Sequence, residues 1–450
     1  MRGLFLCAAG PAGPDEPPVM TVPILLLLER LFGPRRIPPM ARPTFRYDLL
    51  ASLFASLGGA ALAPQFTGLF ARKTLDAAWL VPVLVAQGAA VNFLSTFLAP
   101  TIQRRDRIRL LVACRALIGL LLASVALMPA SPSAAVAYPL LLAAPLFLGA
   151  IVMNAKTSIW HSNYSEQARG RIFYRIMIVS MAAMAVAARL AAWVLDTWSW
   201  GHRIVYPAAG ACMLLAALFV SRIRLRGRRS LLRNAPRRRF HPIQGFRLLW
   251  EDRAFGRFMG WQMLSGGAVL FSVAVFPLLL PDLFGVNYGQ GTTALVLVPF
   301  GLSILCAPFA GRLFDRLGIT QYRALGAGVW VVGRTGVFLG ALLLNWPLLL
   351  AGFAIQGMGG SLGHVAWNIG HTRFATPRRT QEYMGLHMTL QGIRGMTLPF
   401  VGVLLYHWLG VYVLLIPTVM QAVAAVGFYR SPAPDVEPRS TASPAAANPV

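Results

Sequence analysis

The sequence predicts an all-α polytopic membrane protein: about twelve transmembrane helices in two pseudo-symmetric halves of six. Three observations predict it. First, about twelve apolar stretches, each roughly 18–25 residues long, run between Tyr47 and Tyr429, and about 20 apolar residues suffice to cross a bilayer as a helix. Second, 56% of residues are hydrophobic and only 12% charged, with mean hydropathy +0.60; soluble domains average about 25% charged. Third, basic charge alternates. The second, fourth, sixth, eighth and tenth loops carry most of it, while the other six hold only Arg72, Lys73 and Arg203. Basic loops stay on the cytoplasmic side, so both termini are expected there, in the cytoplasmic (inner) membrane of a bacterium.

Residues 1–43 are Pro-rich and expected to be disordered. Their one apolar run, Val22 to Leu28, is too short to span. It leads into Glu29 and Arg30 without a small-residue cleavage site, which argues against a signal peptide. The first half, 44–221, holds spans at 47–70, 77–100, 109–129, 136–159, 172–197 and 203–221. A basic cytoplasmic linker, 222–256, carries eleven arginines, and its end, Phe246 to Phe255, predicts a short interfacial helix. The second half, 257–430, holds spans at 257–280, 292–311, 324–344, 347–369, 383–406 and 409–429. The tail, 431–450, is rich in Pro, Ala and Ser and is expected to be disordered.

The net charge of +26 sits mainly in short loops and the linker, where it sets topology and meets the lipid bilayer. That placement excludes nucleic acid as the partner. Cys7, Cys114, Cys212 and Cys306 are isolated, with no spacing that suggests a metal site or a disulfide framework. No G-x-S-x-G, H-E-x-x-H or phosphate-cradling loop is present. Neither enzymatic activity nor a cofactor or metal is expected.

The halves echo each other. Asn154, Ser158 and His161 in the fourth span recur at one offset as His364, Asn368 and His371 in the tenth, and Gly149 maps to Gly359. Each trio shares a helical face. Arg115 and Arg334 occupy similar contexts in the third and ninth spans. Duplicated halves are common in secondary transporters.

The loop Gly311-Arg-Leu-Phe-Asp315-Arg316-Leu-Gly318 resembles the G-x-x-x-D-R-x-G signature of the major facilitator superfamily, and the resemblance covers roughly 45–430. The corresponding first-half loop keeps Asp106 and Arg107 but lacks both glycines. The resemblance implies that these residues brace a cytoplasmic gate. It also implies that spans 3, 6, 9 and 12 are peripheral and the other eight surround a central cavity.

Four arginines are read inside the membrane: Arg115, Arg189, Arg334 and Arg394. All fifteen acidic residues are read in loops, tails or span ends. An Arg at mid-bilayer costs about 2.5–3.5 kcal/mol on insertion scales, so without a carboxylate it invites a mobile anion. Arg115 and Arg334 lie on peripheral-class spans and are expected to be structural. Arg189 and Arg394 lie on cavity-class spans of opposite halves and are candidate substrate contacts. Gln391 shares the face of Arg394. Gln356, Gly360, His364 and Asn368 form a polar stripe on the tenth span, and His364 is the candidate proton-sensitive group. Asn154 and Gln262 complete the candidate lining.

The function expected from these residues and the resemblance is secondary transport by alternating access, moving a small organic anion with proton or anion exchange. The protein is expected to act as a monomer. With no acid read inside the membrane, carboxylate-driven antiport of cationic drugs is disfavoured. Two other readings remain: efflux of an amphipathic or hydrophobic compound, and a non-transporting receptor or scaffold that keeps the fold.

Overall fold

The computed structural model describes residues 37–103, 105–226, 246–374 and 380–431. Of the disorder expected over 1–43, residues 1–36 lie outside the described residues, whereas Pro39–Ala41 form a 3-10 turn and a helix begins at Arg42; residues 432–450 and most of the linker also lie outside the described residues. Among those described, nine stretches are helical, long and apolar enough to cross a membrane, and one of them, Tyr383–Arg430, contains two successive helices. Leu80–Val91 and Ala137–Met153 are shorter apolar helices that belong to the second and fourth spans.

In the first half, the helices are Arg42–Gly59 continued by Pro64–Lys73, then Leu80–Gln103, Arg107–Ser124, Ala137–Asn163, Glu166–Thr197 and His202–Ser221. In the second half they are Arg253–Phe284, Tyr288–Thr292 continued by Val298–Arg316, Ile319–Leu342, Trp346–Ile369, Thr380–Leu409 and Leu415–Arg430. They are called spans 1 to 12 below.

Local chemistry explains where these rods break. Span 1 is interrupted because Pro64 holds the preceding Ala63 extended, at ψ 131°. Span 8 opens with a capping box between Asn287 and Gln290. It then passes through a π-helical stretch, Thr293–Leu297, just before Pro299. Proline has no N–H to return to the preceding turn, so the ladder slips by one residue there. The expected interfacial helix over 246–255 is split: a four-residue helix, Leu248–Glu251, ends at Asp252, whose side chain accepts from Phe255 N and starts span 7 at Arg253.

The packing shows the duplication directly. Span 3 packs on spans 4 and 6, span 1 on spans 5 and 6, and span 2 on span 4. Adding six to each number gives the pairs of the second half: 9 with 10 and 12, 7 with 11 and 12, and 8 with 10. Between the halves, span 2 packs on span 11, span 5 on span 8, and span 1 on span 7. These contacts map onto themselves under the same exchange. Spans 9 and 10 approach closely at Gly352, where a Cβ would lie 2.4 Å from the backbone nitrogen of Val337. In lipid, helices associate through such close packing of small residues.

The individual residue pairings do not all hold. A side chain at Gly149 would meet open space, whereas one at Gly359 would strike the Trp330 ring. The side chains of Asn154, Ser158, His161, Asn368 and His371 lie outside the described ones.

Candidate functional site

Asp48, expected at the end of the first span, is buried between helices rather than solvated. Span 1 begins at Arg42, so Asp48 lies about 9 Å along the helix at 1.5 Å per residue, and it is buried. Lys156, inside span 4, was not among the interior cations read from the sequence. Its Nζ lies 3.4 Å from Asp48 Oδ1 and donates to Ser52 Oγ at 2.7 Å. Trp160 Nε1 donates to Asp48 Oδ2 at 2.6 Å and Tyr164 OH to the same oxygen at 3.1 Å. The spacing explains the convergence. Lys156 and Trp160 share one face of span 4, Tyr164 is its C-cap residue, and Asp48 and Ser52 share one face of span 1. Lys156 also lies over the Trp160 ring, 4.9 Å from its centroid. Arg115 is buried nearby, within electrostatic reach of both Asp48 and Lys156.

A second polar cluster lies within the C-terminal half. Arg394 Nη1 donates to the backbone oxygen of Gln262. The guanidinium rests where a Cβ on Gly266 would be, 2.4 Å from its carbon, so only glycine leaves it room. Arg323 Nη2 and Gln421 Nε2 both donate to Ser265 Oγ, at 3.2 and 3.0 Å. Arg323, read from sequence as a loop residue, is inside span 9 and buried. Neither arginine has a carboxylate partner among the described residues. Arg394 Nε, Arg323 Nε, Gln262 Oε1 and Gln421 Oε1 are buried without hydrogen-bond partners. Two buried cations with unfilled donors and no carboxylate beside them form an anion-seeking arrangement.

The other candidates disperse. Gln391 Oε1 accepts from Trp367 Nε1 at 2.5 Å. Gln356 packs against Gly333 of span 9, whereas His364, two turns on, is exposed although protein surrounds it closely. Arg189 is exposed, near Gly289 at the start of span 8, and so does not meet Arg394. Arg334 donates to Ser272 Oγ and lies over the Trp330 ring at 5.2 Å, a structural placement.

In the gate loops, Asp106 caps span 3 by accepting from Ile108 N at 3.2 Å and Arg109 N at 3.5 Å. Arg107 is buried, and Arg316 is exposed at the end of span 8. Gly318 is the N-cap residue of span 9, with φ −61° and ψ 151°, and Gly311 faces open space. The Asp315 side chain lies outside the described ones.

The opposite end of the bundle holds what the sequence did not reveal. Asp196, at the end of span 5, accepts from Tyr288 N at 2.8 Å and Gly289 N at 2.7 Å, at the N-terminus of span 8. Arg72 Nη2 pairs with Asp282 at 3.0 Å, Lys73 Nζ donates to Val286 O at 2.7 Å, and the hydroxyls of Thr74 and Tyr288 bond each other. These hydrogen bonds and the Arg72–Asp282 pair join the two halves at this end. The state captured is closed there.

Comparison with known proteins agrees with this architecture. Residues 279–449 match the sequence model of the Major Facilitator Superfamily. No curated protein sequence matches the chain. Among solved structures, the nucleoside transporter NupG is 14% identical, with TM-score 0.64 over 87% of this chain and 98% of that one. The xylose transporter XylE from E. coli, partially occluded and inward-open, is 12% identical, with TM-score 0.66 over 89% and 100%. A bacterial homologue of the human lysosomal transporter Spinster, inward-facing and occupied, is 12% identical, with TM-score 0.61 over 87% and 97%. The second half thus matches the sequence model of the Major Facilitator Superfamily, and the whole multi-pass chain shares the fold of these solved transporters.

Proposed function

We propose that this protein is a secondary transporter that carries a small organic anion by alternating access, drawn by the Arg323–Arg394 cluster. The single observation behind this reading is that pair of buried guanidiniums with unfilled donors and no carboxylate partner among the described residues. The cluster is closed off in the state captured, so the substrate reaches it when spans 7 and 11 move during the cycle. Lys156 already has Asp48, which leaves the second half to bind the anion. Asp48 in turn supplies a buried carboxylate for proton exchange.

Arg394→Gln and Arg394→Lys, reconstituted in liposomes beside the unaltered protein, test the reading against a panel of organic anions, neutral sugars and lipophilic cations. A hydrogen bond to a charged group contributes about 1.5–3 kcal/mol, so Arg394→Gln is expected to weaken apparent anion affinity roughly tenfold to a hundredfold. Arg394→Lys, which keeps the charge, is expected to retain part of it. Unchanged anion affinity in Arg394→Gln would favour the amphipathic-efflux reading. Ligand binding without flux of any panel member would favour the receptor reading.

A further inference from the structure

Where spans 7 and 12 meet at the end bearing the basic loops, a groove of about 590 Å³ runs along the protein surface. Its rim carries Arg257, in the second turn of span 7, and Arg430, the last residue of span 12. Its wall is Trp261, one turn beyond Arg257, and its floor includes Val423 and Val426. Both valines are exposed, at 46% and 51%, on a helix that continues into the apolar part of the bundle. Gly427 shapes the wall: a Cβ there would lie 2.3 Å from the Trp261 ring, so glycine lets the indole lie flat on span 12. No residue lining the groove is acidic. Both arginines are exposed, and neither has an ion-pair partner among the described residues. Arg253, one turn before Arg257, adds a third exposed cation.

We infer that this groove binds one anionic phospholipid, its headgroup between Arg257 and Arg430 and an acyl chain along Val423 and Val426. The order of the lining carries the inference. Charge stands at the end of the helices, an indole one turn deeper and an apolar floor beyond, matching headgroup, interface and hydrocarbon in turn. A free phosphate would meet the arginines but gain nothing from the floor. A zwitterionic lipid would gain from the floor but bring no net charge to the rim. Arginine presents a planar fork suited to phosphate oxygens. The site lies apart from the Arg323–Arg394 cluster and does not depend on what the protein transports.

The test titrates the full-length protein in detergent with phosphatidylglycerol, with phosphatidylcholine of the same acyl chains, and with inorganic phosphate, reading thermal stabilisation and retained lipid by native mass spectrometry. The unaltered protein is expected to retain phosphatidylglycerol preferentially. Arg257→Gln with Arg430→Gln is expected to weaken that binding roughly fivefold per arginine, about 30-fold together, and leave phosphatidylcholine binding unchanged. The control pair Arg222→Gln with Arg224→Gln, exposed at the same end of span 6, is expected to change neither. Equal binding of the two lipids, inorganic phosphate stabilising as strongly as phosphatidylglycerol, or an equal loss in the control pair would each overturn the inference. Both arginines are exposed, so the altered protein is expected to fold.

Discussion

Asp48→Asn is expected to destabilise the folded protein by about 3–5 kcal/mol, the range seen when one partner of a buried ion pair is removed. The carboxylate faces Lys156, Ser52, Trp160 and Tyr164, and an amide retains its shape but not its charge. Lys156, whose side chain is only 14% exposed, then keeps a positive charge in an apolar setting. Replacing both partners by apolar residues of similar volume is often neutral or stabilising. Asp48→Leu with Lys156→Met is therefore expected to recover most of the loss. Denaturant unfolding in detergent, followed by tryptophan fluorescence, measures both. Unfolding of Asp48→Asn that matches the unaltered protein, or a double variant no better than the single one, would contradict an ion pair at this site.

Removing the Asp196 carboxylate is expected to release the closed end of the bundle. Its two oxygens accept from the first amides of span 8, where the helix dipole favours an anion. The two bonds join opposite halves, so they exist only while this end is closed. At about 1.5 kcal/mol or more for each hydrogen bond to a charged group, Asp196→Ala is expected to shift the balance toward the opened state on the order of a hundredfold. Val286→Cys, in a background lacking the four native cysteines, reports it. The Val286 side chain is 2% exposed in the closed state, and an impermeant maleimide labels it only when that end opens. Labelling at the same rate with and without Asp196 would show that the carboxylate caps a helix without latching the halves. The Arg72–Asp282 pair is half-exposed and is expected to contribute less, since exposed pairs are worth about 0–1 kcal/mol.

The closed end and the Asp48 cluster show different limits on reading a sequence. Asp196 stands at the end of its span, beside Thr197 and Trp198, and reads as an ordinary loop acid. Its role depends on span 8 starting next to it with a capping box that frees two amides. Asp48 follows Arg42 and Arg46 and reads as part of a charged boundary. The helix in fact starts before it, and its partner Trp160 comes from 112 positions further along the chain. One signal was available: Lys156 is one of only two lysines in the chain and stands inside an apolar run. A cation there calls for a counterion on some other span.

Arg394 was legible as a residue needing a partner, because an arginine in an apolar span is costly wherever the span goes. Its direction was not legible. Gly392 and Gly395 turn span 11 toward Phe93 and Ala89 of span 2, and that orientation sends Arg394 to Gln262 and Gly266 inside its own half. Arg189, at a comparable depth by sequence, points instead to Gly289 at the closed end. The two arginines are thus separated along the bundle: Arg189 lies by the closed end, whereas Arg394 sits in the middle of span 11.

The sequence by itself determined the spans, their pairing into two halves and the need of Arg394 and Arg334 for partners. Those follow from hydropathy and loop charge, which act residue by residue against the bilayer. Only the tertiary structure decided which charges meet: Asp48 with Lys156, Arg323 with Arg394, and Asp196 with the start of span 8. The physical reason is that a helix can rotate about its axis without changing its hydropathy, and only packing against its neighbours sets that rotation.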